Sequence, residues 1–111
     1  MNLPDNVHEY LKHIVRCIKD TMPVTAIYLF GSYATGNYHE DSDIDIYIIT
    51  ADRSKRLFDL AVEVDTKIGM PRKIAIDILV NYDDDFKERI NHFYSIEQQI
   101  MKRGILLYAR Q

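Results

Sequence analysis

The sequence predicts an α/β sandwich, with β-strands packed against helices. Three observations carry this. Apolar residues recur at helical spacing in Val7, Tyr10, Leu11, Ile14, Val15 and Ile18, and again in Leu57, Leu60, Ala61, Val64 and Ile68. Two runs, Asp43 to Thr50 and Lys73 to Val80, alternate with the period of two that a strand requires. Helix and strand signals also take turns along the chain instead of segregating.

The elements follow in order. The first helix spans about four turns through Ile18, with Pro4 suited to its first turn and Pro23 just beyond its end. Val24 to Phe30 is apolar and β-branched enough for a buried strand, and Gly31 to Ser42 reads as a loop opening with a helical turn. In the next strand Ile44, Ile46 and Ile48 line one face, and Asp43, Asp45 and Tyr47 the other. Ser54 is placed to cap the second long helix, which Gly69 and Pro71 stop. Lys73 to Val80 forms the third strand. Asp83 to about Asn91 is a short helix whose acidic run Asp83-Asp84-Asp85 suits a helix N-terminus. Ser95-Ile96-Glu97-Gln98 is a capping-box pattern for a last helix ending near Gly104, and Ile105 to Ala109 is a final strand.

The chain has 111 residues, 47% apolar and 28% charged, which suits one domain over residues 1–111 with a core of its own. No apolar run approaches the roughly 20 residues that span a membrane, and the N-terminus carries no signal-peptide pattern. Cys17 is alone and fits a small packing residue in a reducing cytoplasm. A net charge of −3 argues against duplex nucleic acid as a partner. His8, His13 and His92 lack the spacing of a zinc site, and His39 reads as a solvated loop residue.

The stretch Phe30 to Ile46 carries the chemistry. It holds Gly31-Ser32 at the end of an apolar run, ten intervening residues, then Asp43-Ile44-Asp45 opening a second run. A glycine turn brings backbone N–H groups close to phosphate oxygens. Aspartates at i and i+2 of a strand share a face, about 7 Å apart along the chain, so both can reach one metal centre. A phosphate cradle beside paired carboxylates suits Mg²⁺-dependent nucleotide chemistry. Asp77 lies mid-strand in Ile76-Asp77-Ile78, where a charge is costly unless paired or bound to metal. It joins Asp43 and Asp45 if its strand pairs beside theirs; otherwise it is a sheet-edge aspartate facing water or an arginine.

These motifs resemble the DNA polymerase beta nucleotidyltransferase superfamily, and within it the minimal nucleotidyltransferases, small catalytic domains often serving as antitoxins beside a HEPN-domain partner. The core of the resemblance spans Ile27 to Ile49, with a looser match to Tyr108. It implies a small mixed sheet packed with helices, and Mg²⁺-dependent transfer of AMP, or another NMP, from ATP or another NTP to a hydroxyl. A tyrosine of a HEPN toxin is the acceptor it suggests. It implies Asp43, Asp45 and Asp77 as catalytic and metal-binding residues for one or two Mg²⁺, with Asp77 as acceptor-side ligand or proton acceptor. Gly31 and Ser32 would bind the β- or γ-phosphate. Many relatives carry a basic residue where this chain has Thr35, a task that Arg53, Lys55, Arg72 or Lys73 could take if they are not solvated surface charge. Tyr33 and Tyr38 flank the loop, for packing or for stacking on a base. Two other functions fit the residues: adenylylation of a small hydroxylated compound, and a non-catalytic partner-binding module with a vestigial site.

Overall fold

The computed structural model describes residues 3–110. Helix α1 is Asp5–Thr21, followed by strand β1 (Val24–Phe30), the short helix α2 (Ser32–Thr35) and strand β2 (Ile44–Thr50). Helix α3 (Leu57–Ile68) leads to strand β3 (Ile76–Tyr82), then helices α4 (Asp83–Arg89) and α5 (Ile96–Arg103), and strand β4 (Ile105–Ala109). The strands form one mixed sheet in the order β3-β2-β1-β4. β1 pairs antiparallel with β2 and β4, whereas β2 and β3 are parallel. A parallel pair needs a crossover, and α3 supplies it.

Alternation along β2 decides which layer each residue joins. Ile44, Ile46 and Ile48 are fully buried against Val7, Leu11, Ile14 and Ile18 of α1 and Leu60 and Val64 of α3. Truncating any of these isoleucines to alanine would cost about 2–5 kcal/mol. On the other face Tyr47 and Ile49 pack against Phe86 of α4 and Ile100 of α5. The strip of that face along β3, which carries Asp77 and Leu79, stays exposed.

A buried polar network holds α5 to this face. Tyr47 Oη donates to Glu97 at 2.6 Å, Arg89 Nε donates to the same carboxylate at 2.9 Å, and Asn81 Nδ2 donates to Tyr47 Oη at 3.2 Å. Burial pushes Glu97 up, but hydrogen bonds from Tyr47, its own backbone and Arg89 outweigh it and hold the carboxyl below its usual range. Burial and the bond to Glu97 raise the Tyr47 phenol. Ser95 caps α5 as expected, its Oγ accepting from the Gln98 N–H at 3.0 Å.

Two boundaries differ from the expectation. Ser54 does not cap α3. Its N–H is taken by Asp52 Oδ1 at 2.8 Å in a turn, and the helix starts at Leu57 behind Arg56. β3 runs from Ile76 to Tyr82 instead of Lys73 to Val80, because β2 pairs with it from Ile44↔Ile76 to Thr50↔Tyr82, with the Ile44 N–H on the Ala75 carbonyl at 2.8 Å as the outermost bond. Cys17 is buried, its Sγ 3.8 Å from the Lys67 carbonyl. Among the described residues no helix is long and apolar enough to cross a membrane.

Candidate active site

β1 and β2 bring the two halves of the motif together. Phe30, the last residue of β1, is the partner of Asp45 in the antiparallel register, so Gly31 leaves the sheet beside the Asp45 carboxylate. Gly31 has φ +74° and ψ −155°, a conformation essentially reserved for glycine. A Cβ built on it would fall 2.1 Å from Asp45 Oδ2. Position 31 therefore excludes side chains both by backbone conformation and by space. The chain then turns into α2, with the Thr35 N–H bonded to the Gly31 carbonyl at 3.2 Å and Thr35 Oγ1 on the Ser32 carbonyl at 3.4 Å.

Asp45 and Asp77 are opposite each other in the parallel register of β2 and β3, so that each carboxyl acts on the other. Burial, and then the Asp77 and Asp43 charges, push the Asp45 carboxyl from 3.8 up to about 6. Asp43 lies exposed just before β2, where its charge also contributes to raising Tyr33, behind the larger effects of burial and Tyr38. No three His, Cys, Asp or Glu side chains among the described residues converge as a ready-made metal cage. The fold thus joins Asp45 to Asp77 and leaves Asp43 near by but apart. Asp77 is exposed on an edge strand, the sheet-edge placement that the sequence left open, and it also lies beside Asp45. Its significance comes from its place opposite Asp45, not from burial.

The donor set fits a divalent cation of the Mg²⁺ type. It offers hard carboxylate oxygens, and among the described residues no Lys, Arg or His forms an ion pair with Asp43, Asp45 or Asp77. Burial first, and then the Asp77 and Asp43 charges, disfavour the Asp45 carboxylate, and a bound cation would offset both.

The neighbouring residues separate into packing and surface roles. Tyr33 is buried and stacks on Tyr38, ring centroids 4.6 Å apart, so the pair shields the turn. His39 stays in the loop, its N–H donating to Ser42 Oγ and its Nδ1 accepting from the Asp41 N–H. Asp83, Asp84 and Asp85 form the first turn of α4, and Arg53 bridges the last two while lying over the Tyr82 ring. Lys55 pairs with Glu63, and Arg72 with Asp65. A cleft beside the turn is lined by Phe30, Gly31 and Thr35 on one side and Ile96, Gln99, Arg103 and Gly104 on the other. Sequence reading did not single out Arg103, since a basic residue in the last turn of a helix ordinarily just complements the helix dipole.

Three comparisons place this geometry. The chain is 32% identical over 105 residues, 93% of its length and 99% of the other's, to "Putative protein adenylyltransferase MJ0604" of Methanocaldococcus jannaschii. Its fold is similar to a crystal structure of a toxin–antitoxin with AMP-PNP, with TM-score 0.61 and 26% identity, covering 90% of this chain and 73% of that one. It is also similar in fold to the structure of a tri-AMPylated Shewanella oneidensis HEPN toxin in complex with MNT antitoxin, with TM-score 0.58 and 22% identity over 94% of this chain and 73% of the other. Residues 12–111 match the family described as Polymerase beta, Nucleotidyltransferase. With that match across nearly the whole chain, and Gly31-Ser32 set against an Asp45–Asp77 pair, this protein belongs to the polymerase beta nucleotidyltransferase family.

Proposed function

We propose that this chain is an Mg²⁺-dependent protein adenylyltransferase that moves AMP from ATP to a tyrosine hydroxyl of a cognate HEPN-domain protein, for which it serves as antitoxin. The observation that carries the reading is the Asp45–Asp77 pair set against the Gly31 turn. The acceptor class is supported by the name of the 32% identical relative and by the AMPylated HEPN toxin in the similarly folded complex. AMP-PNP in the other toxin–antitoxin structure supports the nucleotide.

Asp43 and Asp45 would hold Mg²⁺ on the triphosphate, and Asp77 could share a second ion. Bound Mg²⁺ would supply neutralisation of the charge that builds on the phosphoryl oxygens. Gly31, lacking a side chain, lets the Asp45 carboxylate lie against the turn, and the Ser32 hydroxyl and N–H grip the β- or γ-phosphate. The acceptor oxygen attacks the α-phosphorus, the bond from that phosphorus to the pyrophosphate oxygen breaks, and pyrophosphate departs with the electron pair. Asp77 takes the hydroxyl proton. Its exposure on an edge strand suits that part, because a protein acceptor must reach it from solvent.

The test is incubation of the chain with Mg²⁺, α-labelled ATP and a purified HEPN-domain protein from a neighbouring reading frame as candidate partner. Label on a tyrosine of the partner, lost in Asp45→Asn, is the expected outcome. Complex formation without label, under conditions where Mg²⁺–ATP binds, would leave only a partner-binding module.

A further inference from the structure

The cleft beside the Gly31 turn, about 270 Å³, shares a wall with the carboxylate pair, since Gly31 lines the cleft and also abuts Asp45. Its far wall is α5, through Ile96, Gln99 and Arg103, with Gly104 just past the helix end. We propose that Arg103 is the cation that holds the phosphate chain of the nucleotide at this turn. The inference deepens the nucleotidyl-transfer reading and rests on it.

Charge sets the requirement. A triphosphate arriving beside Asp43, Asp45 and Asp77 meets three carboxylates, and metal alone leaves its outer oxygens in need of donors. The elements that build the turn offer no cation, because β1 (VTAIYLF), α2 (SYAT) and β2 (IDIYIIT) contain neither Lys nor Arg. Ser32 and Thr35 supply only neutral hydroxyls. The cation has to come from another part of the chain.

The candidates legible in the sequence are engaged elsewhere. Arg53 bridges Asp84 and Asp85, Lys55 pairs with Glu63, and Arg72 holds Asp65 and the carbonyls of Asp65 and Gly69. Lys73 lines a different cavity, with Asn6, Glu9 and Tyr10 of α1. Arg89 is tied to Glu97. Arg103 alone of these arginines faces the turn across the cleft, and among the described residues it makes no ion pair or side-chain hydrogen bond. A guanidinium matches two phosphate oxygens at once, which an ammonium cannot do in the same geometry. Its wall is also well anchored, since Glu97, on the same helix, is bonded to Tyr47 two residues from Asp45 in β2.

Mg²⁺–ATP binding by titration calorimetry tests the assignment. Arg103→Gln should lower affinity about ten- to a hundredfold, the scale of one or two charge-assisted hydrogen bonds. Arg103→Lys should recover part of the loss, and Thr35→Lys placed in the Arg103→Gln chain should recover part of it from the opposite wall. Arg16→Gln, which removes the same charge from the exposed side of α1, should bind as wild type. Unchanged affinity in Arg103→Gln, with binding still lost in Asp45→Asn, overturns the Arg103 assignment and leaves nucleotidyl transfer standing. A loss that neither lysine repairs also overturns it, since packing and not charge would then be at work. Wild type that fails to bind Mg²⁺–ATP overturns both readings.

Discussion

Gly31 and Asp45 approach so closely that a single methyl on Gly31 would sit 2.1 Å from the Asp45 carboxylate oxygen. The contact joins the Gly31 turn to β2, and it arises because Phe30 and Asp45 are partners across β1 and β2. Even Gly31→Ala should therefore displace Asp45 as well as strain the turn. Mg²⁺–ATP affinity is expected to drop more than tenfold, roughly 1.4 kcal/mol or more. Ser32→Ala removes one donor and should cost about 0.5–1.5 kcal/mol. Calorimetric titration of both variants checks the order, and Ser32→Ala as the worse change would contradict it.

Asp45 makes apo stability depend on pH. The folded carboxyl keeps its proton up to about 6, while an ordinary aspartate loses it near 3.8. Between those values the native state binds more protons than the unfolded chain, so this group's contribution to stability is present in acid and lost as pH rises through about 6. Near pH 7 without metal, Asp45→Asn should raise stability by on the order of 1 kcal/mol, and it should flatten the decline between about pH 4 and 6. Thermal melts in chelator across that range provide the measurement; a variant that melts lower than wild type at neutral pH would refute a net cost of burying this charge beside Asp77 and Asp43.

Asp77 should matter to transfer more than to binding. Asp77→Asn is expected to keep Mg²⁺–ATP affinity within a few-fold and to slow single-turnover AMP transfer by about 10²-fold or more. The asymmetry follows from a group that acts on the acceptor proton in the transition state. Wild-type transfer rates in the variant would remove Asp77 from the reaction.

Glu97 should couple the placement of α5 to acid stability. Its carboxyl is held below the usual range, chiefly against burial, by Tyr47, its backbone and Arg89. Its contribution is therefore present above the unfolded glutamate range and lost as pH falls through the lower folded value. Glu97→Gln should cost about 1–3 kcal/mol near neutrality and less in acid. Urea unfolding at two pH values measures both, and an equal cost at each would argue that charge plays no part.

Much of the site was legible because it is local. Gly31-Ser32, the i and i+2 spacing of Asp43 and Asp45, and the face carrying Ile44, Ile46 and Ile48 follow from chain geometry, which needs no knowledge of neighbours. The same holds for the Ser95 cap, whose partner is three residues away. Ser54 misled for a related reason: Asp52 is equally local and captured its N–H.

By itself, then, the sequence determined the helices, the alternating strands, the i and i+2 placement of Asp43 and Asp45, and the Gly31-Ser32 turn. Tertiary structure decided which strand lies beside which, and with that the ends of β3, the meeting of Asp77 with Asp45 and the exposure of Asp77 on a sheet edge. It also decided that α5 returns beside Phe30 and Gly31 and brings Arg103 to the turn. Alternation specifies the face a residue occupies but not the strand or helix across from it, because that choice is made by crossovers and packing between segments far apart in the chain.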